Sequence, residues 1–108
     1  MIYELRVYHC MPGRLPDLNQ RFETYTLKMW AQRGIRPVGF WTVLVGENNQ
    51  DLIYMLEWKD MAERERLFGA FMTDPEWLKI RAETEKNGPL VASISNSFLA
   101  PTAYSNLK

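Results

Sequence analysis

The chain has 108 residues, 46% hydrophobic and 24% charged, a composition that excludes a disordered protein and suits one domain with a single core. Thirteen basic residues balance thirteen acidic ones, which excludes a net electrostatic attraction to nucleic acid or to an anionic membrane. The single cysteine, Cys10, excludes an internal disulfide and suits a reducing compartment. We recognise neither a secretory signal nor an apolar stretch of about 18 residues, so we expect a cytoplasmic protein.

The first predicted element is a strand over residues 2–9, IYELRVYH, which alternates and ends at the turn signal MPG. Successive side chains of a strand lie on opposite faces. We expect the helices to cover the more apolar face, which carries Tyr3, Leu5, Val7 and His9. The opposite face is expected to stay uncovered and carries Glu4, Arg6 and Tyr8.

Residues 15–33 have apolar side chains three or four residues apart, which predicts an amphipathic helix. Its apolar stripe consists of Leu15, Leu18, Phe22, Tyr25 and Met29. Pro16 suits the first turn, and Gly34 suits the end of the helix. Leu27 lies off the stripe, where it is either simply exposed or in contact with another chain.

Three more strands are predicted over residues 38–46, 52–58 and 90–99, the first two joined as a hairpin by the loop GENNQD. On the uncovered face they would place Ile53, Met55, Glu57, Ser93, Ser95 and Ser97. A face of such mixed polarity is either in water or covered by a second copy of the same sheet.

Between the third and fourth strands, DMAERERLFGAFMTDPEW predicts two helices. Asp60 suits the N-cap of a helix over residues 61–72, and Glu63 completes a capping box. Asp74 and Pro75 suit a helix restart. The side chains expected to face the core are Met61, Phe68, Phe71, Met72, Trp77, Leu78 and Ile80. Arg64 falls inside this stripe, where it either snorkels to water or reaches a carboxylate or a bound anion.

The order of elements is β-α-β-β-α-β, which predicts an α+β, ferredoxin-like domain with a four-stranded antiparallel sheet and both helices on one face. No repeat, low-complexity segment or linker divides the sequence. We therefore expect a single domain over residues 1–108.

These features together resemble the NIPSNAP family. The matching segments, in chain order, are MIYELRVY, PGRLPDL, GIRPVGFW, VGENNQ and DMAERERLFGAFMTDPEW. The resemblance implies a ferredoxin-like fold whose sheets pair into a dimeric α+β barrel. It implies little about chemistry, because bacterial members mostly lack an established activity. The wider barrel group includes cofactor-free oxygenases, haem proteins and small isomerases, an analogy at the level of the fold.

Several kinds of site are not predicted. His9 and Cys10 are adjacent on a strand and point to opposite faces, so they do not share a metal. We find no Gly-x-Ser-x-Gly elbow, no phosphate-binding loop, and no basic cluster interleaved with aromatic residues. We therefore expect no metal, no cofactor, no nucleic acid and no membrane partner.

The remaining candidate is a cavity between the sheet and the helices. We expect His9 at its edge, because histidine exchanges protons near neutral pH, with the Tyr3 phenol as a second catalytic group. A histidine bonded only to backbone or water is the alternative. The candidate ligand-binding residues are Tyr25, Arg64 and Trp41, although Tyr25 and Trp41 also suit core or interface positions.

A second group, Glu4, Arg6 and Glu57, is expected on the uncovered face, since the first and third strands are neighbours in this fold. If a dimer covers that face, the three residues have to pair with one another, which favours a structural ion-pair network over a catalytic acid.

The main functional hypothesis is a homodimer, formed through the sheet face, that binds a small apolar or aromatic molecule between sheet and helices. One alternative is a cofactor-independent monooxygenase or isomerase that uses His9 as acid–base. Another is a non-catalytic dimer with a structural or partner-binding role.

Overall fold

The computed structural model describes residues 1–108 as a sheet with a layer of helices. The strands are β1 (Ile2–Cys10), β2 (Arg36–Thr42), β3 (Asp51–Trp58) and β4 (Val91–Leu99). A continuous helix over residues 15–33 comprises α1 (Leu15–Arg21), a π segment (Phe22–Thr26) and α2 (Leu27–Arg33). Between β3 and β4 lie α3 (Met61–Met72) and α4 (Pro75–Thr84). None of these helices is long and apolar enough to cross a membrane.

The strands form one antiparallel sheet in the order β2-β3-β1-β4. Every second side chain of β3 is buried, because the helices cover one face of the sheet. The buried side chains of β3 are Leu52, Tyr54, Leu56 and Trp58. The prediction of an α+β, ferredoxin-like fold is therefore confirmed.

The prediction of which face of β1 is covered is wrong. Glu4 pairs with Leu56 and Arg6 with Tyr54, and direct partners across an antiparallel pair share a face. Glu4, Arg6 and Tyr8 therefore lie on the helix side. The face of β1 without helices, the uncovered face, instead carries Tyr3, Leu5, Val7 and His9, of which Tyr3 alone is buried, at 4% exposed. Counting apolar residues points to the wrong face here, because paired opposite charges can be buried with each other.

On β3 and β4 the predicted uncovered face is confirmed. The residues on that face are Ile53, Met55, Glu57, Ser93, Ser95 and Ser97. β4 is an edge strand, and from Ala92 to Leu99 all of its residues are exposed. The helices thus cover β4 much less than they cover β3.

The helix over residues 15–33 differs from prediction at Tyr25, which is 41% exposed. In the π segment the Leu27 N–H donates to the Phe22 carbonyl, five residues back, so this turn holds one extra residue. The wider turn carries Tyr25 out of the stripe and brings Thr26 and Trp30 under it, both buried. A period of 3.6 residues cannot anticipate this shift.

Aromatic rings fill the layer between helix and sheet. The Phe22 ring lies 5.5 Å from Trp30 and 5.4 Å from Tyr54, centroid to centroid. Trp30 in turn lies 5.9 Å from Phe71 of α3. Such pairs each contribute about 0.5–1.5 kcal/mol beyond the area they bury, so these rings form a firm support for neighbouring side chains.

The predicted caps of α3 and α4 are present. The Asp60 side chain accepts from the Glu63 N–H at 2.8 Å, and Glu63 accepts from the Lys59 N–H at 2.9 Å. The reciprocal bond thus reaches one residue beyond the N-cap. Asp74 accepts from the Glu76 N–H at 2.8 Å and caps α4 in the same way.

Three side chains expected in the core are exposed instead. Met61 and Leu78 are each 48% exposed and Met72 is 40% exposed, whereas Trp77 is buried. Neighbouring positions on a helix do not share a face, so Trp77 facing inward turns Leu78 away.

The second strand is shorter at its end than predicted. β2 stops at Thr42, whose partner is Leu52 near the start of β3. Residues 43–46 have no strand opposite them, and Leu44 and Val45 are almost fully exposed. A run of β-forming residues without a ladder partner does not continue a sheet.

Candidate functional site

A cavity of about 320 Å³ lies between the sheet and the helices. Its lining residues are Arg6, Tyr8, Arg21, Phe22, Thr26, Trp30, Phe71, Met72, Trp77, Arg81, Glu85, Val91, Ala92, Ser93 and Ile94. Its size is at the lower end of the range for small-molecule sites, which is about 300–1,000 Å³.

Three regions of the chain position this lining. β1 and β4 form the floor, and because β4 is poorly covered, Ala92 and Ile94 lie on an exposed side of the cavity. The π segment supplies Phe22 and Thr26, and the Thr26 hydroxyl donates to the Arg21 carbonyl at 3.4 Å. π turns occur often at functional sites, because they alter which side chains a helix presents.

On one side of the cavity Arg6 makes two short side-chain hydrogen bonds. Its Nη1 donates to Glu4 Oε2 at 2.8 Å, and its Nε donates to the Tyr54 hydroxyl at 2.7 Å. That hydroxyl donates to the Tyr8 hydroxyl at 3.0 Å. Burial alone would lower the pKa of Arg6, but Tyr54, Tyr8 and Glu4 raise the pKa above its ordinary value. Arg6 is therefore a charged group with its partners already in place.

Glu4 is the centre of this network and is 0% exposed. Two guanidinium nitrogens of Arg64 donate to it, Nε to Oε1 and Nη2 to Oε2, each at 3.1 Å. The Trp58 indole and the Asn96 amide also donate to Glu4, again at 3.1 Å. Burial would raise the pKa of Glu4, but the bonds from Arg64, Arg6 and Asn96 outweigh burial and lower it.

This network corrects two expectations. Arg64 reaches a carboxylate, as one of its two interpretations held, but that carboxylate is Glu4 and Arg64 does not line the cavity. The expected cluster of Glu4 and Arg6 with Glu57 is wrong, because Glu57 lies on the other face of the sheet, 3.4 Å from Arg36.

On the opposite side of the cavity Arg21 is buried but weakly bonded. It is 6% exposed, and its Nη1 lies 3.5 Å from both Thr84 Oγ1 and Glu85 Oε2. Its Nε has no hydrogen-bond partner, and its guanidinium lies 5.1 Å from the centre of the Trp77 ring. Burial lowers the pKa of Arg21, and the charge of Glu85 offsets this only in part.

Two neutral donors at the cavity are also unpaired. The indole N–H groups of Trp30 and Trp77 are buried and have no partner, although both residues line the cavity. Buried donors normally have a hydrogen-bond acceptor, so a buried N–H group without one requires an explanation. Three residues that line the cavity, Arg21, Trp30 and Trp77, therefore each carry a donor without a partner.

The sequence prediction missed Arg21. It lies three residues after Leu18 and directly before Phe22, so it falls beside the predicted apolar stripe. A charged residue at the border of a stripe was the available signal, but the same pattern usually describes a side chain that snorkels to water.

His9 and Tyr3 do not line the cavity, and the expectation that they do is wrong. Both lie on the uncovered face of the sheet, six residues apart along β1, which is about 20 Å at the usual rise of a strand. They therefore cannot act together on one small molecule in this chain. The error follows from the reversed faces of β1.

His9 nevertheless has side-chain partners. Its Nδ1 lies 2.9 Å from Asp51 Oδ1, and its Nε2 lies 3.1 Å from Ser95 Oγ. These contacts have the order of a Ser-His-Asp triad, but Ser95 lies inside β4 and not on a sharp turn that would expose it to a substrate. The group links three adjacent strands, and a catalytic role for His9 stays a prediction.

The remaining candidates also lie outside the cavity. Tyr25 borders a separate polar groove, and Trp41 is 49% exposed beside Ile53 on the uncovered face. Nowhere in residues 1–108 do three or more His, Cys, Asp or Glu side chains form a group that could hold a metal ion.

The chain matches one protein family in sequence and resembles solved members of that family in structure. The model of the NIPSNAP family matches residues 3–106. No curated protein matches the chain. An uncharacterised NIPSNAP domain protein from Burkholderia xenovorans has a similar structure, with a TM-score of 0.83 at 21% identity over 97% of this chain and 98% of that one.

Two further solved structures show how far the likeness extends. A NIPSNAP family protein from Agrobacterium tumefaciens has a TM-score of 0.87 at 20% identity, covering 99% of this chain and 98% of its own. A protein described as an antibiotic biosynthesis monooxygenase has a TM-score of 0.61 at 8% identity, covering 94% and 99%. At these identities the likeness shows the fold alone.

Proposed function

The chain belongs to the NIPSNAP family, and we propose that it binds a small, largely apolar or aromatic molecule in the cavity between its sheet and its helices. The observation that supports this most directly is a cavity of about 320 Å³ with an aromatic wall and unpaired donors. Ligand sites generally combine an apolar lining with a few converging polar groups.

The alternative for such a space is a packing defect. Protein interiors are close-packed, and dry voids are lined by apolar groups only. Here the lining includes the buried Arg21 and two tryptophans, Trp30 and Trp77, whose indole N–H groups have no partner. An apolar void would not account for those donors, whereas a ligand would supply their acceptors.

We further propose that two copies associate through the uncovered face of the sheet. That face carries large apolar side chains, among them Trp41 and Leu99, which are 49% and 40% exposed. On β4 its polar side chains are short serines, which another sheet can approach closely. An antiparallel sheet usually packs one face on the core and exposes the other to water, and the exposed face is then polar. The apolar side chains on this face therefore favour contact with a second copy.

Catalysis is not part of this proposal. The one histidine lies across the sheet from the cavity, so the cavity has no imidazole to move a proton. The version with His9 as acid–base therefore needs a separate site on the uncovered face.

A neutral fluorescent probe, N-phenyl-1-naphthylamine, tests the binding site. We expect it to bind the native protein, and an Ala92→Trp variant to bind it at least about tenfold more weakly, since an indole at this position would fill the open side of the cavity. The matched control is Ala70→Trp, an exposed alanine of α3 outside the cavity. Equal binding by the two variants would contradict the proposal.

Sedimentation equilibrium tests the association of two copies. We expect a dimer at micromolar concentration, and a Val7→Glu change on the uncovered face should shift it toward the monomer. A protein that stays monomeric at that concentration would refute this part of the proposal without touching the cavity.

A further inference from the structure

We propose that the ligand of this cavity is an anion, an aromatic molecule of one or two rings with a carboxylate group, and that Arg21 binds the carboxylate. This inference rests on the proposed function and specifies its chemical class. It depends on charge balance, on the open bonds of Arg21 and on the aromatic lining of the cavity.

Charge balance is the first observation. Arg6 and Arg64 share Glu4, while Arg21 and Arg81 share Glu85. Four guanidinium groups thus face two carboxylates. The excess is best tolerated where arginines reach water, as Arg81 does, but Arg21 is 6% exposed. A buried charge without a close partner is costly, which indicates that a partner binds there.

The contacts of Arg21 show which bonds are open. Glu85 is closer to Arg81, at 3.1 Å, than to Arg21, at 3.5 Å, so its charge is divided between them. A distance of 3.5 Å is long for a charge-assisted bond, which is usually about 2.7–2.9 Å. Arg21 Nε has no partner at all. A planar carboxylate can accept two parallel bonds from one guanidinium, which suits the open side of Arg21.

The aromatic side chains of the lining favour a ligand with an aromatic ring system. The indole groups of Trp77 and Trp30 and the ring of Phe22 offer flat apolar surfaces, and the indole N–H groups add two donors with no acceptor. An aromatic molecule with hydrogen-bond acceptors would pack on these flat surfaces and accept hydrogen bonds from the indole N–H groups and from Arg21. A dianion such as a phosphate ester would bring more charge than the single open guanidinium can balance.

The experiment compares two probes of the same shape, 2-naphthoate and its neutral amide, 2-naphthamide. We expect the carboxylate to bind at least about tenfold more tightly, since charge-assisted bonds are the stronger kind. In ¹⁵N-labelled native protein, naphthoate should shift the indole N–H signals of Trp30 and Trp77. Trp58, already bonded to Glu4, and Trp41, on the uncovered face, serve as internal references.

A matched pair of variants assigns the charge. Arg21→Met keeps an apolar stem and should abolish the preference for naphthoate over naphthamide. Arg66→Met removes an exposed guanidinium on α3 and should keep it. If the Arg21 variant fails to fold, the comparison of the two probes on the native protein still decides whether the cavity prefers an anion.

The outcomes separate this inference from the proposed function. If both probes bind equally, the anion is refuted and the aromatic cavity stands. If naphthoate is still preferred by Arg21→Met, the assignment to Arg21 is overturned. If neither probe shifts Trp30 or Trp77 at millimolar concentration while N-phenyl-1-naphthylamine binds, the class of ligand is wrong, and if no probe binds, the proposed function fails as well.

Discussion

Two arginine–glutamate contacts on the helix side of the sheet have the same chemistry but differ in how completely they are bonded. Around Glu4, Arg6 and Arg64 make bonds of 2.8–3.1 Å, and Trp58 and Asn96 supply two more donors. Around Glu85, Arg21 has only contacts of 3.5 Å and an unpaired Nε. The first cluster is complete within the chain, whereas the second leaves bonds for another molecule.

The difference shows that burial of a charged residue does not by itself identify a site. Arg6 and Arg21 are almost equally buried, at 7% and 6% exposed, yet their surroundings move their pKa values in opposite directions. What separates a structural arginine from one that can bind a ligand is whether the chain supplies its partners. Three predictions test this distinction, and a fourth tests whether His9 is separate from the cavity.

The largest effect is expected for Glu4→Gln. This change leaves Arg6 and Arg64 without their shared carboxylate, and breaking a buried pair typically costs about 3–5 kcal/mol of unfolding free energy. Urea denaturation of the native and variant proteins measures the loss. Glu65→Gln, at an exposed position of α3, should stay within about 0.5 kcal/mol of native. A loss for Glu4→Gln as small as that of the control would show that the cluster is not complete.

Replacing each arginine by methionine compares the two contacts directly. Arg6→Met should cost about 1.5–3 kcal/mol, the usual range for hydrogen bonds to charged groups, because its bonds are short. Arg21→Met should change the unfolding free energy by less than about 1 kcal/mol, because its long contacts contribute little while removing a buried, weakly paired charge is favourable. If Arg21→Met proved the more costly of the two, the distinction would be lost.

Acid should weaken the complete cluster. The pKa of Glu4 is lowered from its ordinary value of 4.5, so its bonds stabilise the fold at higher pH and are lost as the pH falls below about 4.5. The half-buried carboxylates Glu63 and Asp74, at the starts of α3 and α4, also have lowered pKa values, because they accept backbone and arginine hydrogen bonds. Between pH 5 and pH 3 the native protein should therefore lose more unfolding free energy than Glu4→Gln. Parallel curves for the two proteins would contradict this.

The smallest effect is expected for His9→Ala. Because His9 lies on the uncovered face, its removal should leave the affinity of the cavity for N-phenyl-1-naphthylamine within about twofold, too small to signify a direct contact. Fluorescence titration of the variant beside native protein measures this. A large loss of affinity would mean that the two faces of the sheet are coupled and that His9 contributes to ligand binding.

The arrangement of elements was predictable because it depends on local patterns. The alternation in residues 2–9, the capping box at Asp60 and Glu63, and the restart at Asp74 and Pro75 are all present in the fold. Each depends on the conformational preferences of neighbouring residues, which act within a few positions of the chain. The family was recognisable for the same reason.

The site was not predictable, since it depends on contacts between distant residues. Tyr25 was expected to face inward, but a π turn places Thr26 and Trp30 there. His9 and Tyr3 were assigned to the cavity because their face of β1 is the more apolar one. The residues that form the cavity, Arg21 and Trp77 above all, come from separate helices, and nothing in the order of the chain shows that they meet.

The order of strands and helices, the caps and the family thus follow from patterns of a few neighbouring residues. Which face of β1 is buried, and which arginine is weakly bonded, depend on how the folded elements pack. A charged side chain can be buried once other charges reach it, and those charges come from elsewhere in the chain. Glu4 lies 60 positions from Arg64 in sequence and 3.1 Å from it in the fold.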